Sequence, residues 1–519
     1  MTTARRIIWH IGLAVFMSFF IFVRILAGKF DLPIYVTGIV AIFSAFGLSF
    51  ALLITKMDEK FLTPLSKEWQ NSGLFLILTI LGALIDPTYS LFSSETRQNA
   101  VAFFWPIRLV AQLGGGVLFA ILAMMVIQAL KVCHFRPKSN LYLFIMVMIL
   151  INLGACFYIA RSSTVYFWDN AGFFETAKTL SLKRMDGAFF QSIVKSMLFS
   201  DYNSLLSLPI SLLMRIFGSS RHVFVLSIVN LYELPAVFLL LAAAQKQVRH
   251  SRTVGVLLLL ITPIVPFMAF TGFVDIAPMS VGLLAVLIWL DHEKDVCARG
   301  ILCGILLVIC FIMRRTFFFF SAAFGLAALS SAILCERKAL RGVIMMGVTV
   351  ALSAIFFMQP FLLEKVLGSN YGSSYSAYDF GIVHDYFLFV RYFGIAALTL
   401  AFFAVLYLLV EKACRMKALF CGLLALICFV AFTMVQTHGQ QHLLLYLPAF
   451  YGICLLLAVK IDAKTTSLPV SCEILLNSAD AKKSAVATSE ETVSTWGTVV
   501  RPQKAPKLST FDAGLGILA

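Results

Sequence analysis

Apolar runs of about 20 residues recur along most of this chain, and they leave it one architecture. A hydrocarbon core about 30 Å thick is crossed by about 20 apolar residues of helix. A helix also satisfies its own backbone hydrogen bonds, which lipid cannot do for it. The sequence is 60% hydrophobic and its mean hydropathy is +0.92. The predicted fold class is all-α, a polytopic integral membrane protein with about 14 transmembrane helices. The spans are expected at residues 7–28, 33–55, 73–91, 104–130, 141–160, 222–244, 253–271, 276–291, 300–313, 316–335, 342–363, 388–410, 418–436 and 442–459. The first run is too long for the apolar stretch of a cleavable signal and a second follows it closely, so it is expected to stay as a span.

Charge tests both the count and the orientation. With the N-terminus placed in the cytoplasm, the inside connections are Arg5/Arg6, Lys56–Lys67, Lys131–Lys138, Lys246–Arg252, Lys294–Arg299, Arg337–Arg341 and Lys412–Lys417. They hold nineteen basic residues, against five (Lys29, Arg97, Arg314, Arg315 and Lys365) in the opposite short connections. That asymmetry is the positive-inside bias, and it puts both termini in the cytoplasm. The net charge of +15 is dispersed in short clusters between spans, so no nucleic-acid partner is expected. Eleven cysteines are scattered, mostly in apolar runs and with no CxxC pair, and read as small core hydrophobes.

Between the fifth and sixth spans lies a polar insert, residues 161–221, that bears Asp169, Glu175, Asp186 and Asp201. Within it LLSLPISLLMRIF (Leu205–Phe217) is only thirteen residues long, with Pro209 at its centre and Arg215 near its end. Counting it as a span would move Gln245–Arg252 to the outer side, against the charge rule. It is expected instead to lie on the outer leaflet as an interfacial or re-entrant helix, and the whole insert then faces outward. From about Asp462 the composition shifts to Ser, Thr, Ala and Lys, which predicts a disordered cytoplasmic tail.

Asp169, in YFWDNAGFFETAK, follows an aromatic cluster just past the fifth span. An acid there either caps the helix that follows or serves as a base at the membrane surface, and the two roles are compatible.

Here the sequence resembles the GT-C glycosyltransferases, the superfamily of the protein O-mannosyltransferases and the lipid A aminoarabinose transferase. The resemblance rests on Trp168-Asp169-Asn170, on the amphipathic stretch Gly172–Leu182, and on DYNSLLSLPISLLMRIFGSSR with its Leu-Pro and Phe-Gly pattern. It covers roughly residues 141–460. It implies a GT-C-like helical core with an outward amphipathic insert, a polyprenyl-phosphate sugar donor, an acceptor presented outside, and an Asp near the catalytic centre. Two departures stand out: four spans precede the core, and Asn170 stands where a second acid often follows the first.

Other residues are candidates beside it. Asp275, in TGFVDIAP, falls in the next outward turn, as a cap of the following helix or as a second functional acid. The family is similar in carrying an acid in its second outward loop. Arg314 and Arg315, in CFIMRRTFFFF, either snorkel to headgroups or hold the phosphate of a lipid-linked donor, which guanidinium suits. His438 and His442 stand four apart in QTHGQQHLLLYLP. They are read as polar lining of a substrate cavity or as plain interfacial residues, since two histidines make a poor zinc site. The connection 364–385 is rich in Tyr, Ser and Gly. Glu233, in NLYELP, is an acid inside the sixth span.

The expected organisation is a four-span module at 1–140, a GT-C-like catalytic core at 141–460 with its outward loop at 161–221, and a tail at 461–519. The expected function is sugar transfer from a polyprenyl-phosphate donor to a glycan, lipid or protein acceptor on the outer face of a bacterial plasma membrane. Asp169 and Asp275 are the catalytic candidates. Arg314, Arg315, Trp168, Tyr166, Asn203, His438 and His442 are the substrate-binding ones. Membrane lipids are the other partner; no metal or cofactor is implied, and no Walker A or Rossmann glycine pattern is present. The rival reading is a transporter or flippase of lipid-linked or amphiphilic substrates.

Overall fold

The computed structural model describes residues 73–85, 105–133, 141–162, 168–187, 189–190, 192–193, 196, 204–247, 263–291, 295–357, 380–435 and 438–467, with isolated positions at 14, 15, 18, 42, 43 and 47. Met1–Asp462 forms one compact unit and Ala463–Ala519 a second, of which residues 463–467 are helical. Among the described residues there are helices and no strand. Among the described residues six helices are long and apolar enough to cross a membrane, or seven if one bent pair counts as a span. The chain is a helical, multi-pass membrane protein. The expected spans at 7–28 and 33–55 lie almost wholly outside the described residues.

In chain order the helices are α1 (Gly73–Ile85), α2 (Trp105–Cys133), α3 (Leu141–Arg161), α4 (Trp168–Leu182), α5 (Ser204–Phe217), α6 (Arg221–Ile228), α7 (Leu234–Gln247), α8 (Ile264–Phe270), α9 (Ile276–Leu290), α10 (Val296–Met313), α11 (Phe317–Cys335), α12 (Leu340–Phe357), α13 (Ile382–Phe393), α14 (Ile395–Val410), α15 (Arg415–Thr433) and α16 (Leu447–Ser467). One π-helical turn, Val229–Glu233, joins α6 to α7 within a single span, and a 3-10 turn, Gln440–Leu445, precedes α16.

The centre of the bundle is α9, α10, α11 and α12, with α15 packed on α11 and α2 against α10 and α12. Glycines let these backbones close up. Gly300 and Gly304 stand one turn apart on α10, and a Cβ at Gly300 would land on the Gly342 carbonyl of α12. A Cβ at Gly304 would come within 2.8 Å of the Met346 carbonyl. In lipid, where hydrocarbon itself gives helices no reason to associate, such close contact supplies the dispersion energy that holds them together. Phenylalanines fill the next layer: Phe324 meets Phe420 edge-on at 4.9 Å and Phe319 meets Phe432 at 5.2 Å. On the outer helices the apolar residues face away from the protein, as Leu150, Leu153 and Phe157 do on α3 and Phe402 and Phe403 on α14. Those are the lipid-facing stripes.

Two expected elements differ in detail. The run read as one span at 388–410 is broken at Gly394, which has φ +80°, and α13 and α14 meet at 97°. The reason is amphipathicity: Asp385, Phe389 and Phe393 of α13 face inward, whereas Ile382, Val383, Tyr386 and Phe387 are exposed. The run read as a span at 442–459 begins as the 3-10 turn and becomes a helix only at Leu447, where Pro448 suits a first turn with no N–H to lose. Leu205–Phe217 does form a helix, α5. One face of it, Leu206, Ile210 and Met214, is buried, and Ile216 and Phe217 are exposed.

The glycine contact makes the first prediction. Gly300→Ala should lower stability by about 1–3 kcal/mol through overpacking against backbone that cannot move aside. Gly325→Ala on α11, where a Cβ meets nothing within 4 Å, should be nearly silent. Thermal unfolding of both variants in detergent reads the difference, and equal losses would remove the close α10–α12 contact as its cause.

Candidate active site

The site is built where helix ends meet. Asp169 lies in the first turn of α4, Asp275 immediately precedes α9, and Arg314 immediately follows α10. Because α9 and α10 run antiparallel, the start of one and the end of the other fall at the same end of the bundle. The end of α10 presents unsatisfied carbonyls, and a cation there is favoured by the helix dipole. The starts of α4 and α9 favour anions for the same reason.

Arg314 is held by both acids. Its Nε donates to Asp275 Oδ1 at 2.9 Å, and one of its terminal nitrogens donates to Asp169 Oδ2. Its side chain is 10% exposed and that of Asp169 29%, whereas the Asp275 side chain is 2% exposed. The guanidinium lies over the Phe173 ring, 5.4 Å from its centre. Phe173 is one helical turn after Asp169 and so on the same face of α4. Asp275 makes no side-chain capping bond to α9; its carboxylate goes to Arg314. Its second oxygen, Oδ2, is buried with no hydrogen-bond partner.

Burial raises the Asp275 pKa, and Asp169 raises it further against the opposing pull of Arg314. Burial alone would lower Arg314, but the two carboxylates outweigh it and hold the guanidinium charged. With both acids ionised the cluster carries one excess negative charge, and so has room for one proton.

Short bonds fix the position of α4. Asn170 Nδ2 donates to the Thr271 carbonyl at 3.1 Å, tying the start of α4 to the turn that leads to Asp275. Ser207 Oγ of α5 donates to the Phe173 carbonyl at 3.3 Å, and Arg215 donates to the Leu180 carbonyl at 3.1 Å. Tyr232 of the π-helical turn donates to the Leu206 carbonyl of α5 at 2.5 Å, and its own carbonyl accepts from Ser280 of α9 at 2.7 Å. The amphipathic helices are therefore hydrogen-bonded to the span that carries Asp275.

The two histidines part company. His438 is buried between the rings of Phe429 and Phe432. Its Nδ1 stands 3.0 Å from Asp385 Oδ1, its backbone N–H donates to the same oxygen at 2.8 Å, and its Nε2 is hydrogen-bonded to the Tyr446 hydroxyl. His442, in the 3-10 turn, accepts the Gly439 N–H on Nδ1 at 2.9 Å and lies over Phe432. Burial pushes its pKa down to about 3, helped by His438 and Arg314 and opposed by Asp169.

The structure therefore brings together Asp169, Asp275 and Arg314, and the turn that bears His442 packs on α9, the helix that Asp275 precedes. Arg315 is partly exposed beside them in the chain. Trp168 opens α4, but its side chain lies outside the described residues, as do Tyr166, Asn203 and residues 364–379. Phe173 and Asp385 are the residues that the sequence did not single out for a role. The spacing of four from Asp169 pointed to Phe173; nothing local pointed to the pairing of Asp385 with His438. Among the described residues no group of three or more His, Cys, Asp and Glu is arranged to hold a metal ion.

A histidine that folds neutral contributes stability that is complete above its unfolded pKa near 6.5 and is lost as pH falls toward the folded value. In that window the unfolded state binds the extra proton. Acidification from pH 7 to pH 4 should therefore destabilise the protein, with a slope from His442 of up to about 1.4 kcal/mol per pH unit. His442→Gln should flatten part of that dependence in melting curves taken across pH 4–7. An unchanged slope would mean that His442 is not held neutral.

No family model matches the chain, and no curated protein matches it. Among solved structures it is similar to the crystal structure of ArnT from Cupriavidus metallidurans bound to undecaprenyl phosphate. The sequence identity is 14%, the TM-score is 0.45, and the alignment covers 61% of this chain and 59% of that one. The chain thus spans less than two thirds of the length of that structure.

Proposed function

We propose that this protein is a membrane glycosyltransferase of the GT-C type. It moves a sugar from a polyprenyl-phosphate donor to an acceptor hydroxyl at the outer face of a bacterial plasma membrane. The observation that carries the reading is the ion cluster Asp169–Arg314–Asp275. Its members lie 145 and 39 residues apart in the chain and meet at one end of the bundle, beside the amphipathic helices α4 and α5. The sequence resemblance through Trp168-Asp169-Asn170 and the Leu-Pro segment of α5 supports the same class.

Asp169 is the more open of the two acids and is the base. As the acceptor oxygen forms its bond to the anomeric carbon, its proton passes to the Asp169 carboxylate. The bond from that carbon to the phosphate oxygen breaks, and the polyprenyl phosphate leaves with the electron pair and an added negative charge. Two carboxylates against one guanidinium leave the excess charge that a base needs. Arg314 orients both acids and lies close to where negative charge grows, where a fixed cation favours the transition state. Arg315, on the outward connection after α10, is assigned to the donor phosphate. Asp275 fixes Arg314 from below and keeps Oδ2 for a substrate hydroxyl.

Glu233 favours the rival reading of transport. It is buried in the π-helical turn of a span, and its Oε2 has no hydrogen-bond partner. Acids inside membrane spans commonly mark ion or proton paths, and π-turns gather at functional sites.

Asp169→Asn separates these readings. It keeps the size and hydrogen-bonding capacity of the side chain but cannot accept a proton, so transfer from a lipid-linked donor should fall by about a hundredfold or more. Donor binding should be retained, and the melting temperature should fall only in part, because Asp275 still holds Arg314. Turnover in the Asn variant close to that of the native protein would exclude Asp169 as the base. Glu233→Gln should leave sugar transfer intact; if it abolishes a substrate flux while no transfer is measurable in the native protein, transport is the function.

A further inference from the structure

Arg314 leaves an open question about how this site recognises an anion. Two of its three guanidinium nitrogens are taken by carboxylates, and a second lysine or arginine beside Asp169 and Asp275 would be captured in the same way. A neutral donor escapes that capture, because nothing beyond an ordinary hydrogen bond draws it to the acids. His442 has the required geometry. Its Nδ1 accepts the Gly439 N–H at 2.9 Å, so that nitrogen carries no proton and the neutral ring must carry its hydrogen on Nε2. Contact with Phe432, whose ring centre lies 4.6 Å away, holds the imidazole in that orientation. The Nε2–H makes no hydrogen bond among the described residues, and 8% of the residue remains exposed. The 3-10 turn that bears it packs on α9, the helix introduced by Asp275.

We propose that His442 is the neutral hydrogen-bond donor of the site and that its Nε2–H recognises a phosphate oxygen of the lipid-linked ligand. The inference rests on the glycosyltransferase reading for the identity of that ligand. His442 feels the charges of both Arg314 and Asp169, and it stays unprotonated through the physiological range. The donor is therefore present at every working pH and brings no positive charge that would quench the base. His438, four residues earlier, cannot share the task, because both its ring nitrogens face Asp385 and Tyr446. It supports the turn instead.

The test uses the full-length protein in lipid nanodiscs and two probes of equal chain length, a short-chain prenyl phosphate and the corresponding prenol. Native protein should bind the phosphate at least about tenfold more tightly than the alcohol, the size expected for hydrogen bonds to a charged group. His442→Phe keeps a ring against Phe432 but lacks the N–H. It should lose about tenfold in phosphate affinity and leave prenol binding unchanged, while His442→Gln, with an N–H restored, should stay within about threefold of native. Phosphate affinity unchanged in the Phe variant overturns the role of His442 and leaves the glycosyltransferase reading standing. An equal loss for both probes assigns His442 to packing and overturns it as well. Native protein that does not distinguish phosphate from alcohol overturns this inference and the proposed donor together. Should the Phe variant fail to fold, native protein labelled with 15N-histidine still decides. The Nε2 resonance of His442 should move on addition of the prenyl phosphate and not of the prenol, and a resonance that ignores both excludes the contact.

Discussion

The guanidinium of Arg314, held between Asp169 and Asp275, is the interaction on which the arrangement of this end of the bundle depends. Burying one charge alone costs several kcal/mol, and the cost is offset only when partners are close and well oriented. Arg314 and Asp275 are almost wholly enclosed and meet at 2.9 Å. Each would be untenable without the other. That mutual need fixes the end of α10 against the start of α9. It fixes α4 as well, because Asp169 supplies the second carboxylate from a helix otherwise joined to the bundle by bonds such as Asn170 to Thr271. Removing the arginine would leave two carboxylates facing each other, one of them buried, so loss of Arg314 affects folding before it affects any ligand.

The surrounding structure supports this contact through backbone groups. Ser207, Arg215 and Tyr232 all donate to carbonyls of α4 or α5. Bonds to main-chain oxygens hold a helix without specifying its outward side chains, and this leaves the outer faces of α4 and α5 free to differ in sequence while their positions stay fixed. Ser280 extends the chain of bonds to α9 through the Tyr232 carbonyl, which a π-helical turn presents differently from a regular one. The distortion of the sixth span is thus part of how the amphipathic helices are seated, apart from any role of Glu233.

Legibility in the sequence followed the range of the physics. A span is a local property, about 20 apolar residues in a row, and the helices at 141–161, 221–244, 296–313, 317–335 and 415–433 lie where hydropathy and charge place them. That α5 is a short helix and not a full span was legible for the same reason, from length, Pro209 and Arg215. The bend at Gly394 was not, because a glycine in an apolar run has no local signature of positive φ; inward contacts of Asp385 and Phe389 impose it. Pairing across the chain was hidden too. Asp169, Asp275 and Arg314 each stood out alone as a charge in an improbable place, but no pattern within the sequence joins residues 145 apart. The histidines show the limit most clearly. A spacing of four implies a shared helix face, yet the 3-10 turn begins between them, so one ring meets Asp385 and the other accepts the Gly439 N–H against Phe432.

Two buried polar groups of similar composition can therefore be told apart by what they leave unused. In the Asp385–His438–Tyr446 group the side chains stand against one another among aromatic rings, His438 Nε2 bonded to Tyr446 and Nδ1 3.0 Å from Asp385 Oδ1. Such a set adds rigidity: it latches α13 onto the segment before α16. The Asp169–Arg314–Asp275 group is also mostly enclosed, but it keeps Asp275 Oδ2 without a partner, and the turn that bears His442 packs on α9, which Asp275 introduces. An unsatisfied acceptor and an uncommitted donor in one low-dielectric place are expensive for folding alone. Their natural complement is a molecule that carries hydroxyls and an anionic oxygen together, and a phosphate-linked sugar has both.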